Sequence, residues 1–397
     1  MTKGEPPTFR LLVIETHPIQ YKAPLFRSFA SDPRFRLKVW YAMLPDARQQ
    51  GEGFESSFSW DVPLLDGYDY EVLDNRSARP SVVRWGGCDT PEVHRKLKVE
   101  RPDAVLVNGW VTKTCVQALM ACRRLGIPCL VRGEANDLRL RAGWKRLAQR
   151  LLLSQYQAYL AIGSANRRFY LARGCREERI FDAPYAVDNE AFEAAVAERV
   201  SRRNALRAAW EIPDDRIVFL FAGKVEEKKR PLDLLRAVHL LPPEYRSRAH
   251  VLIAGTGPRE EDCRAEAARL GVQVSWAGFL NQSRMPDAYA ASDVLVLPSD
   301  TGETWGLVVN EAMASGLPAL VSQSVGCRED LIVEGVTGGS FPEGDLEGLA
   351  ALMRGYLDQP DSCLEQGRAA RRRVDWFCFR RIRDGIHDAL CAVVKTP

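Results

Sequence analysis

At 397 residues the chain is long for a single hydrophobic core, and two domains are the natural division. Hydrophobic content of 46% and charged content of 27% are those of a soluble globular protein, and a formal net charge of +3 gives no argument for a nucleic-acid partner. No run approaches the length of a membrane span, and Met1 to Arg10 lacks the apolar centre of a signal peptide, so a cytoplasmic protein is expected. The ten cysteines are scattered without a CxxC pair. Cys115, Cys122 and Cys129 recur every seven residues, but Cys129 lies beyond Pro128 in a different element. Reduced thiols and no metal cluster are expected.

In chain order, Arg10 to Glu15 predicts a strand, left through the loop Thr16-His17-Pro18-Ile19-Gln20-Tyr21, and a helix follows from Pro24 to Ala30. Arg36 to Tyr41 is a second strand. Leu44 to Leu65, rich in Gly, Ser and aromatics, predicts a long irregular excursion, a kind of segment that usually carries function. Ala104 to Val107 is a strand, Thr112 to Leu125 a helix stopped by Gly126, and Ile127 to Val131 a strand ending in Arg132-Gly133-Glu134-Ala135-Asn136. Tyr159 to Ile162 and Ile180 to Phe181 complete a first sheet. The same grammar restarts with strands at Ile217 to Ala222, Val251 to Ala254, Val272 to Trp276, Val294 to Leu297 and Ala319 to Val321. Trp376 to Val394 mixes Trp376, Phe377, Phe379, Ile382, Ile386 and Leu390 with arginines, the pattern of an amphipathic helix that needs a partner.

The most informative stretch runs from Pro298 to Pro318, where strand, loop, helix and strand follow one another. Such a unit belongs in a parallel sheet, with its loop at the carboxyl edge where α/β proteins bind ligands. Gly306 removes a side chain where the helix begins, so the first-turn N–H groups can approach an anion closely. Glu303 enters this loop and Glu311 projects from the helix beyond it. Two carboxylates beside an anion site repel a phosphate unless they are engaged by hydroxyl groups. A diphosphate with a polyol at each end meets both demands, and a nucleotide sugar is such a ligand.

The Glu-x7-Glu spacing of Glu303 and Glu311, with Gly306 inside and Ala-Met-Ala-Ser-Gly-Leu-Pro after it, resembles the donor-site motif of retaining GT-B glycosyltransferases of family GT4. The resemblance implies an α/β GT-B fold of two facing Rossmann-like domains with a cleft between them. It divides the chain into an acceptor-side domain (1–187), a nucleotide-sugar donor domain (188–375) and a terminal helix (376–397) crossing back to the first domain, the join lying near Ala183 to Asp188. It implies that Glu303 approaches the donor sugar, that the amides of Thr304, Trp305, Gly306 and Leu307 take the phosphates, and that Glu311 holds the ribose diol. Trp305 stands where the family often has Phe. Gly223-Lys224-Val225-Glu226-Glu227-Lys228-Lys229 resembles the family loop whose two cations neutralise the diphosphate, roles that fall on Lys224 and Lys229 beside Gly223. Gly255 and Gly257 match a turn beside the nucleotide, and Gly278, Phe279 and Leu280 the backbone that meets the base. A dinucleotide fingerprint is a poor alternative, because Glu260 stands where its third glycine belongs.

On the acceptor side the sequence departs from the family, which commonly has paired glycines in the first loop and a histidine in the loop that here reads Arg132 to Asp137. His17, with Gln20 nearby, reads either as an acceptor contact or as a loop anchor; Glu134 either holds the acceptor or braces Arg132; Asn136 is placed to supply one hydrogen bond. The surface made by Arg139, Arg141, Trp144, Lys145, Arg146, Leu147, Arg150 and Leu151 reads either as a solvated basic helix or as a peripheral contact with the inner face of a membrane. No cofactor is implied beyond the nucleotide sugar as co-substrate, and no Asp-x-Asp metal motif occupies a strand end of the donor domain. The partners implied are a nucleotide-sugar donor and a hydroxyl acceptor: glycan, lipid-linked intermediate or small molecule. Two rivals share parts of this reading, a nucleotide-sugar epimerase of the same fold and a non-catalytic nucleotide-sugar-binding protein.

Overall fold

The computed structural model describes residues 8–51, 53–139 and 141–394. Most of the Met1–Arg10 stretch, Leu140 within the basic surface, and residues 395–397 of the terminal segment lie outside the described residues. The chain forms two compact units, the first from residues 8–49, 63–185 and 379–394 and the second from residues 50–62 and 186–378.

The first unit is built on seven parallel strands: β1 (Phe9–Glu15), β2 (Phe35–Tyr41), β3 (Asp69–Val72), β4 (Ala104–Asn108), β5 (Cys129–Arg132), β6 (Ala158–Ala161) and β7 (Ile180–Asp182), in the order β3-β2-β1-β4-β5-β6-β7. Leu11 to Ile14 of β1 are buried on both faces, which is why the strand reads as an unbroken apolar run rather than an alternating one. The second unit holds six parallel strands: β8 (Ile217–Ala222), β9 (Ala249–Ala254), β10 (Val274–Gly278), β11 (Val294–Leu297), β12 (Ala319–Ser322) and β13 (Gly338–Phe341), in the order β10-β9-β8-β11-β12-β13. Each sheet reverses its strand order once, between β1 and β4 in the first and between β8 and β11 in the second. Loops leaving the carboxyl ends of strands at such a switch point diverge and leave a crevice for a ligand. Both units are thus Rossmann-like α/β folds.

Two strands escape hydrophobic patterning. β3 is an edge strand whose residues are largely exposed, and β13 begins with two glycines. The helix Val93–Glu100 also goes unmarked, because only Val93 and Leu97 are buried on it. The terminal helix spans Phe379–Val393, not Trp376 onward, and buries Ile382, Ile386 and Leu390 against β6 and β7 of the first unit. Trp376 and Phe377 stay with the second unit: Phe377 is buried, its ring centroid 6.0 Å from that of Trp305, and Asn189 Nδ2 donates to the carbonyls of Val374 and Phe377 at 3.1 Å each. The units change hands after Tyr185 and Cys378, against the expected 187 and 375, and residues 50–62 are grouped with the second unit although they precede β3.

Candidate active site

The β8 and β11 loops meet in the second unit. The amide of Asp300 donates to Lys228 O at 2.9 Å, which ties the two loops together by their backbones. At the end of the β11 loop Gly306 takes φ +96° and opens the helix Leu307–Ala314. A β-carbon there would lie 2.9 Å from both Leu297 and Val325, so glycine is required by conformation and by space together. The Val309 amide donates to Gly306 O at 2.9 Å, while those of Leu307 and Val308 open the helix without an intrahelical acceptor, an end suited to a negatively charged group.

Charged groups flank that helix end. Glu303 is ion-paired with Lys229, whose side chain is only 15% exposed. Two residues expected to act on different parts of one ligand are therefore in contact. Glu311, one turn into the helix, accepts a hydrogen bond from Tyr289 Oη at 2.7 Å. Burial pushes the Glu311 carboxyl up to about 7, against the pull of the tyrosine hydrogen bond. Tyr289 went unread in the sequence because it sits on another helix, Met285–Ala291, with no motif around it.

The remaining donor-side residues divide into scaffold and surface. The Trp305 side chain is buried, donating from Nε1 to Asn310 Oδ1 at 2.8 Å, so only its backbone is available to a ligand. Thr304 and Leu307 are half-buried on either side of it. Gly223 and Gly255 lie where the β8 and β9 loops cross: a β-carbon on Gly255 would sit 1.9 Å from Gly223 O, so its first task is packing. Gly257 accepts from the Glu260 amide at 3.0 Å, and Gly278 closes β10 by accepting from Gly255 N at 2.8 Å. Phe279 and Leu280 follow, half-buried. Lys224 extends from the β8 loop with Nζ 4.9 Å from the Phe54 ring centroid.

In the first unit, polar groups gather at the carboxyl ends of β1, β4 and β5. Glu15 and Lys22, both nearly inaccessible, form a pair with contacts of 3.0 and 2.9 Å, and Asn108 donates to the same carboxylate. Their signal was a lone acid closing an apolar strand. His17 is held with Nδ1 2.9 Å from Thr16 Oγ1, and burial followed by the charge of Lys22 lowers it to about 4, so it is neutral at pH 7. Gln20 is half-buried in the next turn. Arg132, rather than bonding Glu134 as one reading had it, donates to the carbonyls of Ala183 and Pro184 at 3.2–3.3 Å and lies over the Tyr185 ring. Glu134 instead accepts from Tyr185 Oη, which is also 3.0 Å from Tyr21 Oη. Asn136 is buried, with Oδ1 accepting from the Leu138 amide at 3.2 Å; this side chain braces its own loop.

The basic helix spans Gly143–Leu153, so Arg139 and Arg141 precede it. Trp144, Leu147 and Leu151 are exposed along it. Among the described residues no helix is long and apolar enough to cross a membrane, and no group of three or more His, Cys, Asp or Glu side chains is arranged to hold a metal ion.

The family model for glycosyl transferases group 1 matches residues 202–373. A D-inositol 3-phosphate glycosyltransferase of Streptomyces avermitilis is 37% identical over 204 residues, 49% of this chain and 43% of that protein. The sulfoquinovosyl transferase SQD2 of Arabidopsis thaliana is 33% identical over 197 residues, 49% of this chain and 36% of that one. The likeness thus spans less than half the length of these relatives. Over the whole fold, Anabaena Alr3699/HepE, solved in complex with UDP, superposes with a TM-score of 0.72 at 16% identity, covering 97% of this chain and 100% of that one. The lipopolysaccharide-biosynthesis glycosyltransferase WaaG gives 0.66 at 16% identity, covering 96% and 99%. Two Rossmann-like parallel-sheet units of this kind define the GT-B class. The second unit thus carries the stretch that resembles the group 1 glycosyl transferases, and the chain as a whole shares the GT-B fold.

Proposed function

We propose that the protein transfers a glycosyl unit from a nucleotide sugar to a hydroxyl acceptor, with net retention at the anomeric carbon and without a metal ion. The observation that carries this reading is the pair of carboxylates, Glu303 and Glu311, set on either side of a helix N-terminus at the switch point of the second sheet. The first-turn amides after Gly306 take the diphosphate, Glu311 accepts from the ribose hydroxyls, and Glu303 faces the sugar. The C1–phosphate bond breaks as the acceptor oxygen bonds to C1 from the same face, and the acceptor proton passes to the departing phosphate oxygen. Negative charge grows on the diphosphate during this step, and Lys224, Lys229 and the helix amides are the groups that meet it. The acceptor belongs at the carboxyl edge of the first sheet, where His17, Gln20 and Glu134 lie.

UDP-glucose is the first donor to try, since Anabaena Alr3699/HepE has been solved in complex with it. Incubation with an acceptor panel in excess EDTA should give an α-linked product, read from its NMR coupling constant. A β-linked product would overturn retention, and complete, reversible loss of turnover in EDTA would overturn metal independence.

The two glutamates should separate in binding experiments. Glu311→Ala should weaken affinity for UDP, because ribose contacts change little as the bond breaks, whereas Glu303→Gln should bind UDP nearly as the parent does and lose kcat. The carboxyl near 7 adds a pH signature: parental UDP affinity should rise between about pH 6 and about pH 8 as Glu311 ionises, and Glu311→Ala should flatten that rise. Calorimetry showing the opposite assignment would mean that the donor lies reversed in its site.

A further inference from the structure

The helix Gly143–Leu153 turns its apolar stripe to solvent. Trp144, Leu147 and Leu151 fall within about 60° of one another around the helix axis. They are 70%, 58% and 61% exposed. The attached side is the opposite one, where Leu153 is buried and Gln149 Oε1 accepts from Arg173 Nε at 3.0 Å. A helix that served the fold by burying its apolar stripe would be turned the other way.

Cations border the stripe on both sides. Lys145 stands on one, its Nζ 5.4 Å from the Trp144 ring centroid, and Arg146 and Arg150 stand on the other, with Arg141 just before the helix. No acidic residue occurs in the sequence between Asp137 and Glu177, and Asp137 is itself held by both terminal nitrogens of Arg173 at 2.7 Å. Two copies of this face would bring like charges together, which argues against a second copy of the chain as its partner. A purely ionic partner would meet the cations and leave the exposed tryptophan and leucines in water. An anionic lipid surface answers both features at once, with phosphates at the level of the cations and acyl chains below them.

We propose that the helix Gly143–Leu153 is a docking surface for an anionic lipid bilayer, lying in the plane of the interface with Trp144, Leu147 and Leu151 in the acyl boundary and Lys145, Arg146 and Arg150 among the headgroup phosphates. The proposal goes beyond the nucleotide-sugar reading and stands or falls without it. The full chain is sedimented with vesicles of phosphatidylcholine alone and of phosphatidylcholine mixed with phosphatidylglycerol. It should bind the mixed vesicles at least about tenfold more tightly, and less so as salt is raised. Leu147→Gln/Leu151→Gln should weaken that binding about tenfold, and Lys145→Gln/Arg146→Gln/Arg150→Gln about a hundredfold. All five of these side chains are exposed, so both variants keep the fold. Bromine on the acyl chains should quench tryptophan fluorescence in the parent, and less in Trp144→Phe. Parental binding by both variants would place any membrane contact elsewhere and overturn the proposal. Loss in the charge variant alone, with no quenching by bromine, overturns it in favour of a face for a soluble polyanion. A parent protein that ignores both kinds of vesicle overturns it outright.

Discussion

Lys229→Ala is expected to lower kcat/KM for glycosyl transfer by about two to three orders of magnitude, roughly 3–4 kcal/mol of transition-state stabilisation. The side chain is 15% exposed and ion-paired with Glu303, so its charge acts in surroundings that screen it poorly. On the proposed donor geometry, charge accumulates on the diphosphate as the sugar–phosphate bond breaks, and a fixed ammonium at that place would lower the barrier more than it tightens the ground state. The loss should therefore fall mainly on kcat. The substitution also takes from Glu303 the ammonium it pairs with, which adds a cost unrelated to the donor. Combining Lys229→Ala with Glu303→Gln in a double-mutant cycle separates the two contributions. A single variant with near-parental kcat/KM would show that another cation carries the diphosphate.

Lys22→Met should destabilise the protein by about 3–5 kcal/mol, the scale of removing one partner from a buried ion pair. Lys22 and Glu15 are 9% and 2% exposed, and Asn108 donates to the same carboxylate. Without the ammonium, Glu15 keeps its desolvation cost and loses the attraction that offsets it. Burial already raises the Glu15 carboxyl even with Lys22 present, and Lys22 is the first of the groups pulling it back. In Lys22→Met the folded-state value rises further, so the folded protein binds a proton the unfolded chain has released. The deficit should accordingly be smallest near about pH 4.5 and grow as pH rises. Urea unfolding of the single variant and of Glu15→Leu/Lys22→Met at two pH values tests this. The paired apolar replacement should recover most of the loss, and a single-variant cost under about 1 kcal/mol would refute the account.

The sequence by itself determined the features that reside in one stretch of chain. Leu11 to Ile14 and Val294 to Leu297 announce strands because a parallel strand covered on both faces is apolar throughout. Gly306 between Glu303 and Glu311 announces the start of a helix because strand, loop and helix N-terminus follow one another in one stretch of chain. Edge strand β3 and glycine-led β13 were illegible, since what makes them strands is the neighbour each pairs with, β2 and β12, rather than their own pattern. The same reason explains what only the tertiary structure decided. Lys229 meets Glu303 across 74 positions, Tyr289 meets Glu311 across 22, and Arg132 turns to the carbonyls of Ala183 and Pro184. Phe54 reaches Lys224 from a segment that precedes β3. A side chain's type and local spacing state what chemistry it offers. Which partner it meets depends on how the sheet orders its strands and where the loops return, and that is settled by packing over the whole unit, where no short pattern records it.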